Sequence, residues 1–451
     1  MKFLPLLMFL IFLPVQALAH ASDQTFVLLL PTGIYTFAGV LTVGLTVVLV
    51  ALLPDRKLVA LSRGRVVPWP RVSGLRMVVS LSATAVLFFL FFEGFTGSRD
   101  PLANLMSLGF WVIFWIGFVI LQGLFGNLWR WINPWSGVYQ LLHRFVPPLW
   151  HLPACLGYGP AVFLLLGFSA FLLVDPAPAD PARLAGVGLG YWLFTLTGML
   201  LFGPVWQRRG ELFGVFLGHF ARLSPLKWSG TGLRIGWPGW QIVAVRPTAL
   251  SLGLVPLLML ATGSFDGVNE TFWWLAKIGV NPLMYPGRSA VMLPTAIGLV
   301  VAVLVLLLAF SLALYIGQKL ASDTASFDYS FALFAPTVLP IAFGYHIAHY
   351  LPGFLVDVQY VGLMLSQRMG GDAFYVTTSF FYDASTARVI WLTQAGAVVL
   401  GHVLAIILSH IVALRHFQSA RGAVLSQIPL GVFMVFYTFF GLWLLASPRG
   451  G

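Results

Sequence analysis

Residues 389–414, VIWLTQAGAVVLGHVLAIILSHIVAL, decide the fold class, because these 26 consecutive positions carry no Lys, Arg, Asp or Glu. A helix rising 1.5 Å per residue crosses the roughly 30 Å of bilayer hydrocarbon in about 20 residues. Comparable apolar windows near 31–53, 77–95, 105–126, 153–174, 185–205, 247–263, 292–316, 331–355 and 424–446 bring the expectation to about ten spanning helices. Over its 451 residues the chain is 59% hydrophobic and only 9% charged, against about 25% charged in soluble domains. A soluble enzyme is excluded, and 39 Phe with 16 Trp exclude a disordered chain. The expected fold is an all-α integral membrane protein.

The first 19 residues, MKFLPLLMFLIFLPVQALA, combine Lys2, an apolar run from Phe3 to Val15 and the small-residue exit Ala17-Leu18-Ala19, the plan of a cleaved signal peptide. Cleavage there makes His20 the mature N-terminus. Its α-amine and imidazole can chelate one ion together, and nitrogen-rich ligation of that kind favours copper. The alternative is that His20 is an ordinary exposed tail residue.

Residues 20–451 read as one polytopic domain. With His20 outside, 17 of the 25 Lys and Arg fall in inner segments and seven in outer ones, the last being Lys2. Acidic residues lean outward, with Asp55, Glu211, Asp323 and Asp328 inside and ten outside. This satisfies the positive-inside rule for a bacterial inner (cytoplasmic) membrane protein with a periplasmic N-terminus. The net charge of +11 is then explained by topology and anionic lipid, and nucleic acid is not required.

Two inner segments are more than linkers. Residues 128–150, LWRWINPWSGVYQLLHRFVPPLW, interleave Trp with Arg and His, as suits an amphipathic stretch in the interface. Residues 207–246 hold a short helix-like stretch, then SGTGLRIGWPGWQIVAV, whose Gly, Pro and β-branched residues suggest a small hairpin. The longest expected outer loops are 264–291 and 357–388. No internal repeat and no pair of broken helices is visible.

Ionisable or metal-binding side chains within hydrocarbon are costly and therefore functional candidates. The eighth window carries Tyr345, His346 and His349 in GYHIAHYLPGF, its two His one turn apart on one helix face. The ninth carries Gln394, His402 and His410. His402 is expected about 20 Å into the bilayer, a depth that His346 shares only if its helix continues to about Gln359. Three readings of the set compete. His346, His349 and His402, with or without His20, hold copper or zinc, with Asp266 of SFDG or Gln359 behind the ligands; or His pairs ligate haem b; or the imidazoles bond neighbouring helices. His143, His151, His219 and His416 belong to inner segments where solvent or lipid headgroups meet them, and His410 reads as structural. Glu93 either pairs with Arg99 or relays protons. The lone Cys155 excludes disulfides and Cys-based metal sites, and neither H-E-x-x-H nor G-x-S-x-G occurs.

Several stretches taken in order, LWRWINPW (128–135), RGELFGVF (209–216), SFDG (264–267), HIAHY (346–350), GHVLA (401–405) and SQIPLGVFMVFYTFFGLWLL (426–445), together with the mature start HASDQTFVLLLPTGIY, resemble a bacterial family of polytopic membrane proteins commonly labelled fenitrothion hydrolase. The resemblance covers essentially the whole mature chain. It implies hydrolysis of an organophosphate triester to a nitrophenol and a dialkyl thiophosphate, with a partner membrane component, and it carries over no catalytic residue. The chemistry is compatible with the candidates. A small apolar triester partitions into membrane, and a metal ion lowers the pKa of bound water to about 7. In that scheme His20, His346, His349 and His402 hold the ion while Asp266 orients water or a ligand. Copper handling without bond chemistry uses the same residues.

Overall fold

The computed structural model describes residues 30–449 apart from 54, 69–73, 146, 230–231, 245–248, 285–286, 373 and 418. The expected signal peptide and His20 lie outside the described residues. Ten long helices carry the fold: α1 Thr32–Leu52, α2 Leu75–Thr96, α3 Leu105–Phe125, α4 Gly159–Val174, α5 Pro181–Phe202, α6 Leu250–Asn269, α7 Arg288–Leu320, α8 Leu339–Arg368, α9 Ala384–His416 and α10 Ala420–Ala446. Among the described residues nine, counting α8 with the turns before it from Phe327, are long and apolar enough to cross a membrane. The exception is α4, whose 16 residues extend only about 24 Å. The protein is thus an all-α, multi-pass membrane protein.

Local chemistry sets where these helices begin. Asn104 caps α3 through the Met106 amide (2.8 Å), Asp180 caps α5 ahead of Pro181 through the Arg183 amide (2.8 Å), Asp383 caps α9 through Thr386 (2.9 Å), and Ser419 caps α10 through Gly422 (3.0 Å). Each side-chain oxygen takes up an amide that the first helical turn leaves unbonded. The middle of α3 departs from α geometry: Leu108–Phe118 is π-helical, a rare form found mostly at functional sites.

Burial identifies the centre of the bundle. The apolar windows of α6 and of the Phe327–Arg368 span are 72% and 78% buried, those of α1 and α2 17% and 11%, so the latter are the lipid-facing wall. The backbones of α8 and α9 touch where Gly344 meets the Ala397 carbonyl and Gly401 the Pro340 carbonyl, positions at which any Cβ would collide with backbone. Pro352 within α8 cannot donate to the Ala348 carbonyl, and Gln394 of α9 supplies the missing donor through Nε2 at 2.6 Å.

Polar contacts sort the connections into two ends. At one end, β1 (Arg65–Val67), β2 (Leu226–Ser229) and β3 (Gly232–Ile235) form an antiparallel sheet in the order β1-β3-β2. The hairpin expected in 207–246 is β2–β3, and the sheet joins it to the α1–α2 connection. At this end too His416 meets Asp323 (2.9 Å) and Arg76 donates to the Arg130 carbonyl (3.0 Å). At the other end Arg99 pairs with Asp180 (2.9 Å), Arg368 with Glu93 (2.5 Å), and Arg288 donates to the Leu172 carbonyl (3.0 Å). These contacts join only segments that helix alternation places on the same side. Glu93 is therefore held by Arg368, and the expected partner Arg99 belongs to Asp180.

Four expectations change. SFDG does not open a loop at 264, because α6 runs to Asn269 with Ser264 and Asp266 bonded to α10 and α8 across the bundle. The connection expected over 357–388 shrinks to 369–383, since α8 continues to Arg368. In 128–150, Trp129, Trp135 and Tyr139 are buried, with Trp135 donating to the Trp192 carbonyl (2.8 Å), while Phe145, Leu149 and Trp150 keep the exposed apolar face. Finally, the short helix Leu212–Phe220 is no surface element. Phe213, Phe216, His219 and Phe220 are buried between α3, α4 and α8.

Candidate functional site

Four helices and the inserted segment enclose a cavity of about 40 Å³ lined by Trp115 of α3, Phe168 and Ser169 of α4, Asp266 of α6, Tyr345, His346, His349 and Tyr350 of α8, and Phe216 and Phe220. Helical spacing explains the α8 contribution: residues 345 and 349 share one stripe and 346 and 350 the next, so four consecutive-turn side chains line one wall. His349 Nε2 lies 3.1 Å from Asp266 Oδ2, with the two side chains 7% and 9% exposed. The Tyr350 hydroxyl donates to the same oxygen at 2.6 Å. The Tyr345 ring stacks on His349, with centroids 5.8 Å apart and planes at 13°. Its hydroxyl fills the space beside Gly267, which is why the residue after Asp266 has no side chain.

His346 bonds through Nε2 to the Trp115 carbonyl at 3.0 Å and packs edge-on against Tyr350, with centroids 4.9 Å apart. A carbonyl or carboxylate oxygen accepts, so in the neutral imidazoles Nε2 carries the proton in both His346 and His349. Nδ1 of each is then a lone pair. Among the described residues the Nδ1 of His349 is buried and bonded to nothing, and so is the Tyr345 hydroxyl.

His402 does not join this group. The contacts Gly344–Ala397 and Gly401–Pro340, with the Gln394–Ala348 bond, fix an antiparallel register that sets His402 level with Leu339. That is roughly 10 Å below His346 and 15 Å below His349. His402 instead bonds through Nδ1 to the Val398 carbonyl of its own helix (2.9 Å), its Nε2 is buried and unbonded, and Tyr437 lies beside it. Extending α8 past Gln359 thus does not bring the depths together, because the glycine contacts, rather than the helix end, set the register. Gln359 holds the 369–383 loop through Thr377, at 2.9 Å in both directions. Among the described residues no three His, Cys, Asp or Glu side chains converge tightly enough to hold a metal ion.

Sequence reasoning passed over Trp115, Tyr350 and Glu211. Tyr350 was readable as the neighbour of His349 in HIAHY, but Trp115 acts through a backbone carbonyl that no side-chain pattern reveals. Glu211 is fully buried and caps Leu212–Phe220 through the Phe213 and Gly214 amides (2.7 and 2.5 Å), while Tyr191 donates to it at 2.7 Å. Burial pushes its carboxyl up to about 7. On the same helix, burial first and the nearby Arg222 charge second press His219 down to about 3. His219 is therefore a neutral core residue bonded to the Val215 carbonyl at 2.7 Å.

No family model, curated protein or solved structure matches this chain.

Proposed function

We propose that this chain is a multi-pass protein of the bacterial cytoplasmic membrane that binds and passes on copper at His346 and His349, in the periplasmic half of the bundle. The observation that supports this reading best is the buried, unbonded Nδ1 of His349, whose ring is held through Nε2 by Asp266. A carboxylate behind an imidazole fixes the tautomer, orients the ring and makes its free nitrogen more basic toward a metal. His346, one turn away, offers an Nδ1 lone pair as well, its Nε2 held by the Trp115 carbonyl. In this reading Asp266 orients a ligand and does not itself attack a substrate.

The remaining donor is His20. Leu30 belongs to the apolar cluster that contains Ala348 and Trp391, level with His349. Ten residues of chain separate His20 from Leu30, and ten residues span at most about 33 Å. Copper suits this donor set better than zinc, whose structural sites take four protein ligands. A cavity of about 40 Å³ accommodates an ion with a water or two. It has no room for haem b, and His346 and His402 lie at different depths.

Triester hydrolysis, the activity that the resemblance to the fenitrothion hydrolase label implies, is the second reading. It is favoured by an apolar groove of about 490 Å³ between α2, α3 and α5, which shares Phe168 with the His cavity and has the volume for such a molecule. This reading comes second because, among the described residues, the groove's side-chain hydroxyls are only those of Ser82 and Tyr191, and the carboxylate and imidazoles lie beyond Phe168. Deleting the gene and measuring cellular copper and triester turnover separates the two. A changed copper content with unchanged turnover supports copper handling; lost turnover at constant copper contradicts it.

A further inference from the structure

A second polar cavity, of about 510 Å³, opens at the sheet-bearing end, on the face of Leu212–Phe220 opposite Phe216 and Phe220. Arg76, Arg130, Arg208, Arg222 and Lys227 line it, and no Asp or Glu does. Among the described residues none of the five is in an ion pair. Those with clear contacts are held by neutral groups. Arg130 Nη1 donates to the Trp228 carbonyl (2.7 Å), Arg76 Nη2 to the Arg130 carbonyl (3.0 Å), and Lys227 Nζ lies 5.9 Å from the Trp240 ring centre. Burial, and after it the neighbouring cations, make Arg130 and Lys227 less basic than usual. Positive-inside topology accounts for cations at this end, but solvated cations spread apart; it does not account for five of them lining one hollow, with Arg130, Arg222 and Lys227 half-buried and no acid among the described lining residues.

We infer that this cavity binds a phosphate-bearing polyanion, presented either as an anionic lipid headgroup or as a soluble phosphate ester. Guanidinium forks match phosphate oxygens in paired hydrogen bonds, and four of the five cations are Arg. The volume falls in the range of small-molecule sites and exceeds what a lone phosphate fills. Arg208 is exposed to solvent, while Tyr158, which precedes α4, and Leu252 in the first turn of α6 are half-buried in the lining.

The full-length protein in phosphatidylcholine nanodiscs, in nanodiscs containing cardiolipin, and in phosphatidylcholine nanodiscs with added inorganic pyrophosphate provides the test, read as binding and as the unfolding midpoint. We expect at least one probe to bind and raise the midpoint of the wild type. Arg222→Gln, and separately the pair Arg208→Gln with Lys227→Gln, should weaken that binding about tenfold or more. Arg56→Gln removes an exposed charge at the same end but outside the cavity and should leave binding unchanged. Response to cardiolipin alone assigns a lipid headgroup, response to pyrophosphate alone a soluble ester, and response to both the shared phosphate chemistry. If Arg222→Gln does not fold, the pair decides. Failure of the wild type to bind either probe, or equal weakening by Arg56→Gln, overturns the inference.

Discussion

Around Asp266 the polar groups meet within 3.1 Å in a space of about 40 Å³, whereas around Arg222 five cations share about 510 Å³ with no acid in the lining. One nine-residue helix, Leu212–Phe220, separates the two, with Phe216 and Phe220 facing the first and Gly214, Gly218 and Arg222 just beyond its end facing the second. A charge in an apolar interior is tolerated when it is partnered within the fold, and this is the state of Asp266. Cations with no acidic partner among the described residues are the ground for inferring that an anion reaches them from outside. The same chain thus carries a preorganised centre and a receptive one.

That contrast is sharpest if removing one partner from the first cavity is costly while removing a cation from the second is not. Asp266→Ala takes away the acceptor shared by His349 and Tyr350 and should lower unfolding free energy by about 3–5 kcal/mol in denaturant titrations in detergent. A loss under about 1 kcal/mol would place Asp266 among ordinary surface pairs.

Glu211, on the helix between the cavities, gives a pH signature of similar size. Its folded pKa of about 7 lies above the ordinary 4.5, so the folded state keeps a proton that the unfolded state releases. That contribution is complete below pH 4.5 and is lost as pH rises through 7, a change on the order of 3 kcal/mol. Glu211→Gln should flatten the stability profile across that window, and an unchanged slope would reject this assignment.

Next in size is Gly267→Ala, whose methyl meets the Tyr345 hydroxyl and should cost about 1–3 kcal/mol. Tyr345→Phe in the same chain should recover most of it, measured as a double-mutant cycle. Gln394→Ala leaves the Ala348 carbonyl without a donor and should cost about 1 kcal/mol. The loss should vanish in a Pro352→Ala background, where the helix restores its own bond. The smallest effect has the opposite sign: without added anion, Lys227→Gln should stabilise by less than about 1 kcal/mol, since it relieves repulsion at a partly solvated group.

The spans were legible because hydrophobic run length is a local property; the windows near 105–126 and 424–446 meet helices Leu105–Phe125 and Ala420–Ala446. His346, His349 and Asp266 were legible as polar residues amid apolar sequence. Which of them meet was not, because the α8–α9 register depends on backbone contacts at Gly344 and Gly401. Ser264 and Asp266 read as loop residues for a related reason: their polarity is satisfied by Tyr437, Tyr350 and His349, distant in sequence. The basic cavity was counted in the charge asymmetry, but its enclosure required Leu212–Phe220 to insert into the bundle.

The most direct test of the proposed copper site is the metal-to-protein ratio of the purified protein, set beside those of His346→Ala and His349→Ala. We predict stoichiometric copper in the wild type and loss of most of it in both variants. A wild type without stoichiometric metal, or variants that retain it in full, would rule out copper binding at these two histidines.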